Sequence, residues 1–230
     1  MKKIVMILVA CILLFSSCST NSTKDAIPQK EYEFSENEIN ALLETAELLS
    51  EVIANNTVGF PKNFEERFVE LSYPSAEDGN SINQFLYIFT YYQSKGYDQS
   101  IYAKHVYIDD NKIYHFSEEG ILLLLSETFG IINADLTTSN FIYNPITKDY
   151  ATSLEFGAGR GGWRCSEILG SEINTTEGTI IVKLKVENMF PHASGKIDEI
   201  TTLLCENNFE IHIKEDGKSY VSFVGTKIIL

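Results

Sequence analysis

Two periodicities divide the chain, and the point where one gives way to the other limits the folds open to it. From Ser35 to about residue 130 apolar residues recur at three- and four-residue spacing; beyond residue 131 they alternate one for one with polar residues. A 3.6-residue period buries one stripe of a helix, whereas a period of two buries one face of a strand. A chain that runs helices first and strands afterwards is expected to be α+β, with N-terminal helices packed on a curved antiparallel sheet.

The helical part reads in three pieces. In "SENEINALLETAELLSEVIANN" Ser35 and Glu38 form a capping box, and Ile39, Leu42, Leu43, Ala46, Leu49 and Ile53 fall on one face. In "SINQFLYIFTYYQSKG" Ser81 is the expected N-cap, Gly96 the stop, and Ile82, Phe85, Leu86, Phe89 and Tyr92 the buried stripe. "SEEGILLLLSETFG" is a short helix capped by Ser117 and ended near Gly130. Before it, "HVYIDDNKIYHF" reads as a hairpin about Asp110-Asn111. That turn sets Ile108 against Ile113, Val106 against His115 and His105 against Phe116, with His105 and His115 on opposite faces. "DYATSLEF", "GWRCSEILGSEIN", "GTIIVKLKVEN", "EITTLLCEN" and "FEIHIKEDGKSYVSFVGTKIIL" supply the strands, with Asp216-Gly217 closing the last hairpin.

The first residues carry an address. "MKK" is a positively charged start, "IVMILVACILLF" an apolar run too short to cross a bilayer, and "SSC" a small-residue site ending at Cys18. This order resembles the bacterial lipoprotein signal, with Phe15 where the lipobox usually has Leu. "LVAC" at Cys11 fits the lipobox letters better but leaves too short an apolar run. The resemblance implies cleavage after residue 17, lipidation of Cys18 and a domain held outside the cytoplasm on a membrane lipid anchor. On that reading residues 1–17 are the signal peptide and 18–34 a flexible tether. Residues 35–230 are then one α+β domain, helix-rich over 35–130 and strand-rich over 131–230. The order of elements in that domain also resembles nuclear-transport-factor-2-like and cystatin-like cones, and secreted domains carried by bacterial lipoproteins. Both implied folds wrap helices against a curved sheet.

Removing residues 1–17 deletes two lysines and no acid, taking the formal net charge from −14 to −16. That charge repels nucleic acid and anionic membrane polymers, and no nucleic-acid partner is expected. With Cys18 lipidated, Cys165 and Cys205 are left, and they are read either as a disulfide closing a loop of about forty residues or as two buried thiols. The local motifs of serine hydrolases, zinc proteases, phosphate-binding loops and EF-hands are missing from the sequence. His105, His115, His192 and His212 lie in unlike contexts, so no metal, cofactor or catalytic residue is assigned.

"EFGAGRGGWRC" holds Gly157, Gly159 and Gly162 at the spacing of a dinucleotide loop. Such a loop must open a helix, and the alternation of "WRCSEILGSEIN" predicts a strand in its place. Two readings remain: a connection between strands, or a rim presenting Arg160, Trp163 and Arg164, residue types enriched in binding hot spots. The expected function is non-catalytic binding of an envelope protein, peptide or small ligand. The alternatives are an envelope hydrolase whose active-site residues are distant in sequence, and a structural or immunity-type surface factor.

Overall fold

The computed structural model describes residues 33–56, 68–69, 79–134, 136, 141–152, 163–188 and 202–229, and Glu33–Leu230 make one compact unit. Its elements, in chain order, begin with helix α1 (Glu36–Asn56), the two-residue strand β1 (Phe68–Val69) and helix α2 (Gly79–Gln93). A 3₁₀ turn (Ala103–His105) leads to strands β2 (Val106–Ile108) and β3 (Tyr114–Ser117). Helix α3 (Glu118–Leu123) then widens into a π-helical turn (Leu124–Thr128). Six strands complete the chain: β4 (Ile142–Asn144), β5 (Asp149–Thr152), β6 (Trp163–Asn174), β7 (Thr179–Asn188), β8 (Thr202–Ile213) and β9 (Ser219–Ile228).

The α+β class is as expected, but the strands form two antiparallel sheets where the sequence pattern led us to expect one. The larger has the order β1-β9-β8-β7-β6 and the smaller β2-β3-β5-β4. Strand β5 turns away from the later meander because it pairs backward, with Phe116 against Tyr150 and Ser117 against Asp149. Alternation reports which residues share a face, but not which distant strand lies alongside.

Helix α1 starts as its sequence dictates: the Ser35 backbone N–H donates to Glu38 Oε2 at 2.9 Å, and the Glu38 N–H to Ser35 Oγ at 3.3 Å. Its burial exceeds the single predicted stripe. Leu42, Ala46, Leu49 and Ile53 are joined in the interior by Thr45, Leu48, Ser50 and Val52. The helix lies on β6, β7 and β9 and is flanked by α2, so it is covered from two sides. The large sheet supplies the floor through Ile180, Val182, Phe209 and Val221.

Helix α2 begins at Gly79, two residues before the expected cap, and buries Ile82, Phe85, Leu86 and Phe89 as predicted. Its phenylalanines connect the two sheets. Phe116 of the small sheet stacks on Phe89 with centroids 5.5 Å apart, and Phe89 lies 6.2 Å from Phe85. Phe85 meets Phe129 edge-on at 5.0 Å, and Phe129 approaches Phe223 of the large sheet at 6.3 Å. Aromatic pairs at such spacings contribute about 0.5–1.5 kcal/mol each beyond their buried area.

The predicted disulfide is not formed: Cys165 and Cys205 are free thiols. Cys165 opposes Val186 and Cys205 opposes Leu184, so β7 runs between them. Strands two places apart in a sheet are separated by about 9–10 Å, beyond the roughly 7 Å Cα limit of a disulfide. Burial pushes each thiol up to about 12, which leaves both protonated and unreactive in the folded protein.

Gly120 of α3 marks the tightest packing. A Cβ there would stand 2.4 Å from the Cβ of His105 and 2.9 Å from the ring of Phe116. Gly120→Ala is therefore expected to destabilise the protein by about 1–3 kcal/mol through overpacking, read as a lower urea midpoint at unchanged slope.

Candidate functional site

The β2–β3 hairpin has a three-residue loop, and this decides what the small sheet displays. The Lys112 N–H donates to Asp109 O at 3.0 Å and the Asp109 N–H to Ile113 O at 3.0 Å, while Lys112 adopts φ +64°. This is a type I turn followed by a left-handed residue, a common three-residue hairpin connection. Asp109 Oδ1 holds it by accepting from the Asn111 and Ile113 N–H groups, each at 2.9 Å. The expected two-residue turn is thus corrected, and every pairing moves by one. Val106 faces Phe116, Tyr107 faces His115 and Ile108 faces Tyr114.

The shifted register gathers side chains that the sequence reading kept apart. Tyr107 and His115 stack at 4.5 Å with their planes 1° from parallel. The next residues across the row are Ala151 and Ile142. Two positions from Ala151 on the same face of β5 lies Asp149, which is 3% exposed. Its Oδ2 accepts the Tyr107 hydroxyl at 2.7 Å and stands 3.3 Å from His115 Nδ1. Asp109 Oδ2 approaches the other edge of the ring, 3.5 Å from Nε2. His115 is therefore flanked by two carboxylates, one at each nitrogen.

Three buried atoms of this cluster, Asp149 Oδ1 and both ring nitrogens of His115, have no hydrogen-bond partner among the described residues. Buried polar atoms are nearly always partnered, since each unpartnered one costs on the order of 1–3 kcal/mol. The two carboxylates sit on opposite edges of the imidazole, so a single ion could not contact His115 and both aspartates at once. Among the described residues no group of three or more His, Cys, Asp or Glu is arranged to hold a metal.

His105 lies at the other end of this face. It does not oppose Phe116, as expected, but belongs to the 3₁₀ turn and places Nδ1 2.8 Å from Ser117 Oγ. Ser117 shares its strand face with His115. Its Oγ accepts the Gly120 N–H at 3.1 Å and so caps α3 as predicted. The expectation that the two histidines lie on opposite sides falls with the register on which it rested.

Of the predicted binding patch, Arg160 lies outside the described residues, as does the glycine-rich loop from 157 to 162. Trp163 opens β6 opposite Asn188, and the strand predicted after the loop is present where a dinucleotide site would need a helix. Arg164 is exposed and pairs in register with Glu187, whose carboxyl is held below the usual range chiefly by Lys185, with Arg164 adding to the effect. The outward face around it is a charge lattice. Lys183–Glu172 and Lys185–Glu187 lie at 2.7 Å, and Lys227–Glu206 at 3.7 Å. Arg164 is one member of that solvated lattice, and Cys18 and His192 lie outside the described residues.

No protein-family model, curated protein or solved structure matches the chain. Among the described residues no helix is long and apolar enough to cross a membrane.

Burial holds the pKa of His105 below the ordinary imidazole value; Lys104 adds to this, while Glu119 and Glu127 oppose it. The folded protein thus resists a proton that the unfolded chain takes up below about pH 6.5. The stabilisation from neutral His105 is complete above that pH and is lost as pH falls through the lower folded value. The gap in urea midpoint between wild type and His105→Gln should accordingly narrow as pH is lowered from about 7 to about 5.

Proposed function

We propose that the chain is a lipid-anchored envelope protein whose α+β domain binds a partner without transforming it, using the small sheet as its contact surface. The N-terminal sequence supports the anchor, through an apolar run and a small-residue site ending at Cys18. The binding role is carried by one observation. Five of the ten exposed large hydrophobic residues among those described belong to the small sheet: Tyr107 and Ile142 on the outer face, Ile108 and Tyr143 on the other face of its two edge strands, and Ile146 in the β4–β5 turn. Ile142 is 77% and Ile146 90% exposed. Exposed apolar residues gathered over so few positions, beside aromatic rings, are the ordinary composition of a recognition surface. The outer face of the large sheet, by contrast, is laced with ion pairs, with Leu169 and Val224 as its exposed apolar residues.

Metabolic labelling with palmitate should tag the wild type and fail on Cys18→Ser; a Cys18→Ser variant that still takes up label would sink the anchor. For the surface, a photo-crosslinking residue placed at 142 in living cells should give discrete adducts, whereas one at 185 should give none. Identical patterns from the two positions would overturn the assignment of the small sheet.

A second reading, an envelope hydrolase, rests on the approach of Ser117 Oγ to His105 Nδ1 at 2.8 Å, the pairing of a hydroxyl nucleophile with its base. The same contact is accounted for by the fold, because Ser117 Oγ already caps α3 and His105 is packed beneath Gly120. A fluorophosphonate probe separates the two readings. Binding without chemistry predicts an unlabelled protein, and an adduct at Ser117 that disappears in His105→Ala would establish the hydrolase.

A further inference from the structure

We propose that the unpartnered oxygen of Asp149, at one edge of the His115 ring, is the receiving site for one basic side chain of the partner polypeptide, a lysine ammonium or arginine guanidinium. This rests on the reading of the small sheet as the contact surface and names the chemistry it selects. Three observations combine. The first is the unpartnered oxygen: Asp149 is 3% exposed, yet its Oδ1 has no donor among the described residues. A carboxylate in such surroundings gains most from a charged donor, whose hydrogen bond is about twice as strong as a neutral one.

The second is charge. On the large sheet and its neighbours the lysines already have carboxylates, as in Lys183–Glu172, Lys185–Glu187, Lys214–Glu127 and Lys227–Glu206. Asp109 and Asp149 have only His115 as an ion partner among the described residues. One imidazole can offer at most one positive charge to two carboxylates, and the chain's formal charge of −14 draws cationic segments toward it.

The third is shape. Across the face the row runs Tyr107, His115, Ala151, Ile142, so a methyl group stands where its neighbours have long or planar side chains. The row is low at Ala151, on the strand that carries Asp149 two residues away on the same face. Tyr107, 49% exposed, offers a ring to the cation, and Ile142 offers apolar surface to its aliphatic stem. Arginine and lysine are the polypeptide side chains that combine such a stem with a permanent donor head. The metal alternative lacks geometry, because the carboxylates address opposite edges of the imidazole.

The test uses the mature acylated chain in detergent micelles and an N-acetyl-Gly-Lys-Gly-amide probe, followed by ligand-observed NMR. Saturable binding is expected, with at least tenfold weaker binding of the same peptide bearing Nε-acetyl-lysine, a difference of about 1.4 kcal/mol. Asp149→Asn should produce a similar loss, and Asp109→Asn, at the far edge of the ring, a smaller loss through its charge alone. Each keeps an acceptor for the Tyr107 hydroxyl or the turn N–H groups, so thermal midpoints report whether the fold survives; if Asp149→Asn unfolds, Asp109→Asn decides. Lys185→Gln should bind as wild type. Equal binding of the acetylated peptide would overturn the proposal, and n-butylamine binding as tightly as the peptide would overturn its assignment to a polypeptide. Loss of lysine selectivity with adducts at position 142 retained would remove this inference and leave the contact surface standing.

Discussion

From Ile39 to Asn55 helix α1 has no exposed residue, and the layers packed on it are arranged around covering it. A helix laid on a sheet normally buries one stripe; here Thr45, Leu48, Ser50 and Val52 are buried along with the predicted apolar residues. That requires a second layer, which α2 and the segment after it provide. Most polar groups of α1 find partners within the helix or in those layers, although Ser50 Oγ has none among the described residues. Thr45 Oγ1 donates to Ala41 O at 2.6 Å and accepts the Ile101 N–H at 2.9 Å. Glu44 accepts the Gln99 N–H at 2.8 Å, Glu47 the Ser171 hydroxyl at 2.5 Å and Glu51 the Tyr97 hydroxyl at 2.8 Å. Three carboxylates at successive turns thus tie one helix to two separate pieces of chain, the segment after α2 and strand β6. Charge-assisted bonds of this kind fix orientation as well as contributing energy.

The small sheet depends on that arrangement. A sheet of four strands with three or four residues each has little apolar area with which to hold itself together. Its inner face therefore leans on α2 through Phe116, which is fully buried against Phe89. The outer face is left free to carry groups that a core would not tolerate, and it carries a stacked Tyr107–His115 pair between two aspartates. Tyr107 is held in this pose by its hydroxyl on Asp149, and that bond raises the phenol above its usual pKa.

Local signals in the sequence were reliable where backbone chemistry is local. The Ser35–Glu38 capping box, the Ser117 cap, the stripe of α2 and the turn about Asp216-Gly217 are all present. Where the structure departs from the sequence pattern, the causes differ. Gly217, at φ +84°, announces the left-handed position of the last turn, but in the first hairpin that position is held by Lys112, which gives no such sign. One unsignalled residue moved the register by one and hid the site, since a shift of one sends each side chain to the other face. "EITTLLCEN" and "FEIHI" were read as separate segments, yet β8 runs unbroken through Asn207. The Asn207 side chain, which would suit a turn, instead accepts the Thr226 hydroxyl at 2.5 Å in the interior. The pairing of β5 with β3 is non-local, and alternation carries no information about it.

The line of rings from Phe116 through Phe89, Phe85 and Phe129 to Phe223 joins the small sheet to the large one within one compact unit. Whatever occupies the outer face of the one is therefore coupled to the unfolding of the other. A ligand that binds only the native state stabilises it by mass action, about 2.7 kcal/mol at a hundredfold excess over its dissociation constant. Within one cooperative unit that gain is shared by every element. A partner resting on a few residues of β2 to β5 would lengthen the survival of the whole domain against proteolysis, so occupancy and lifetime become a single quantity.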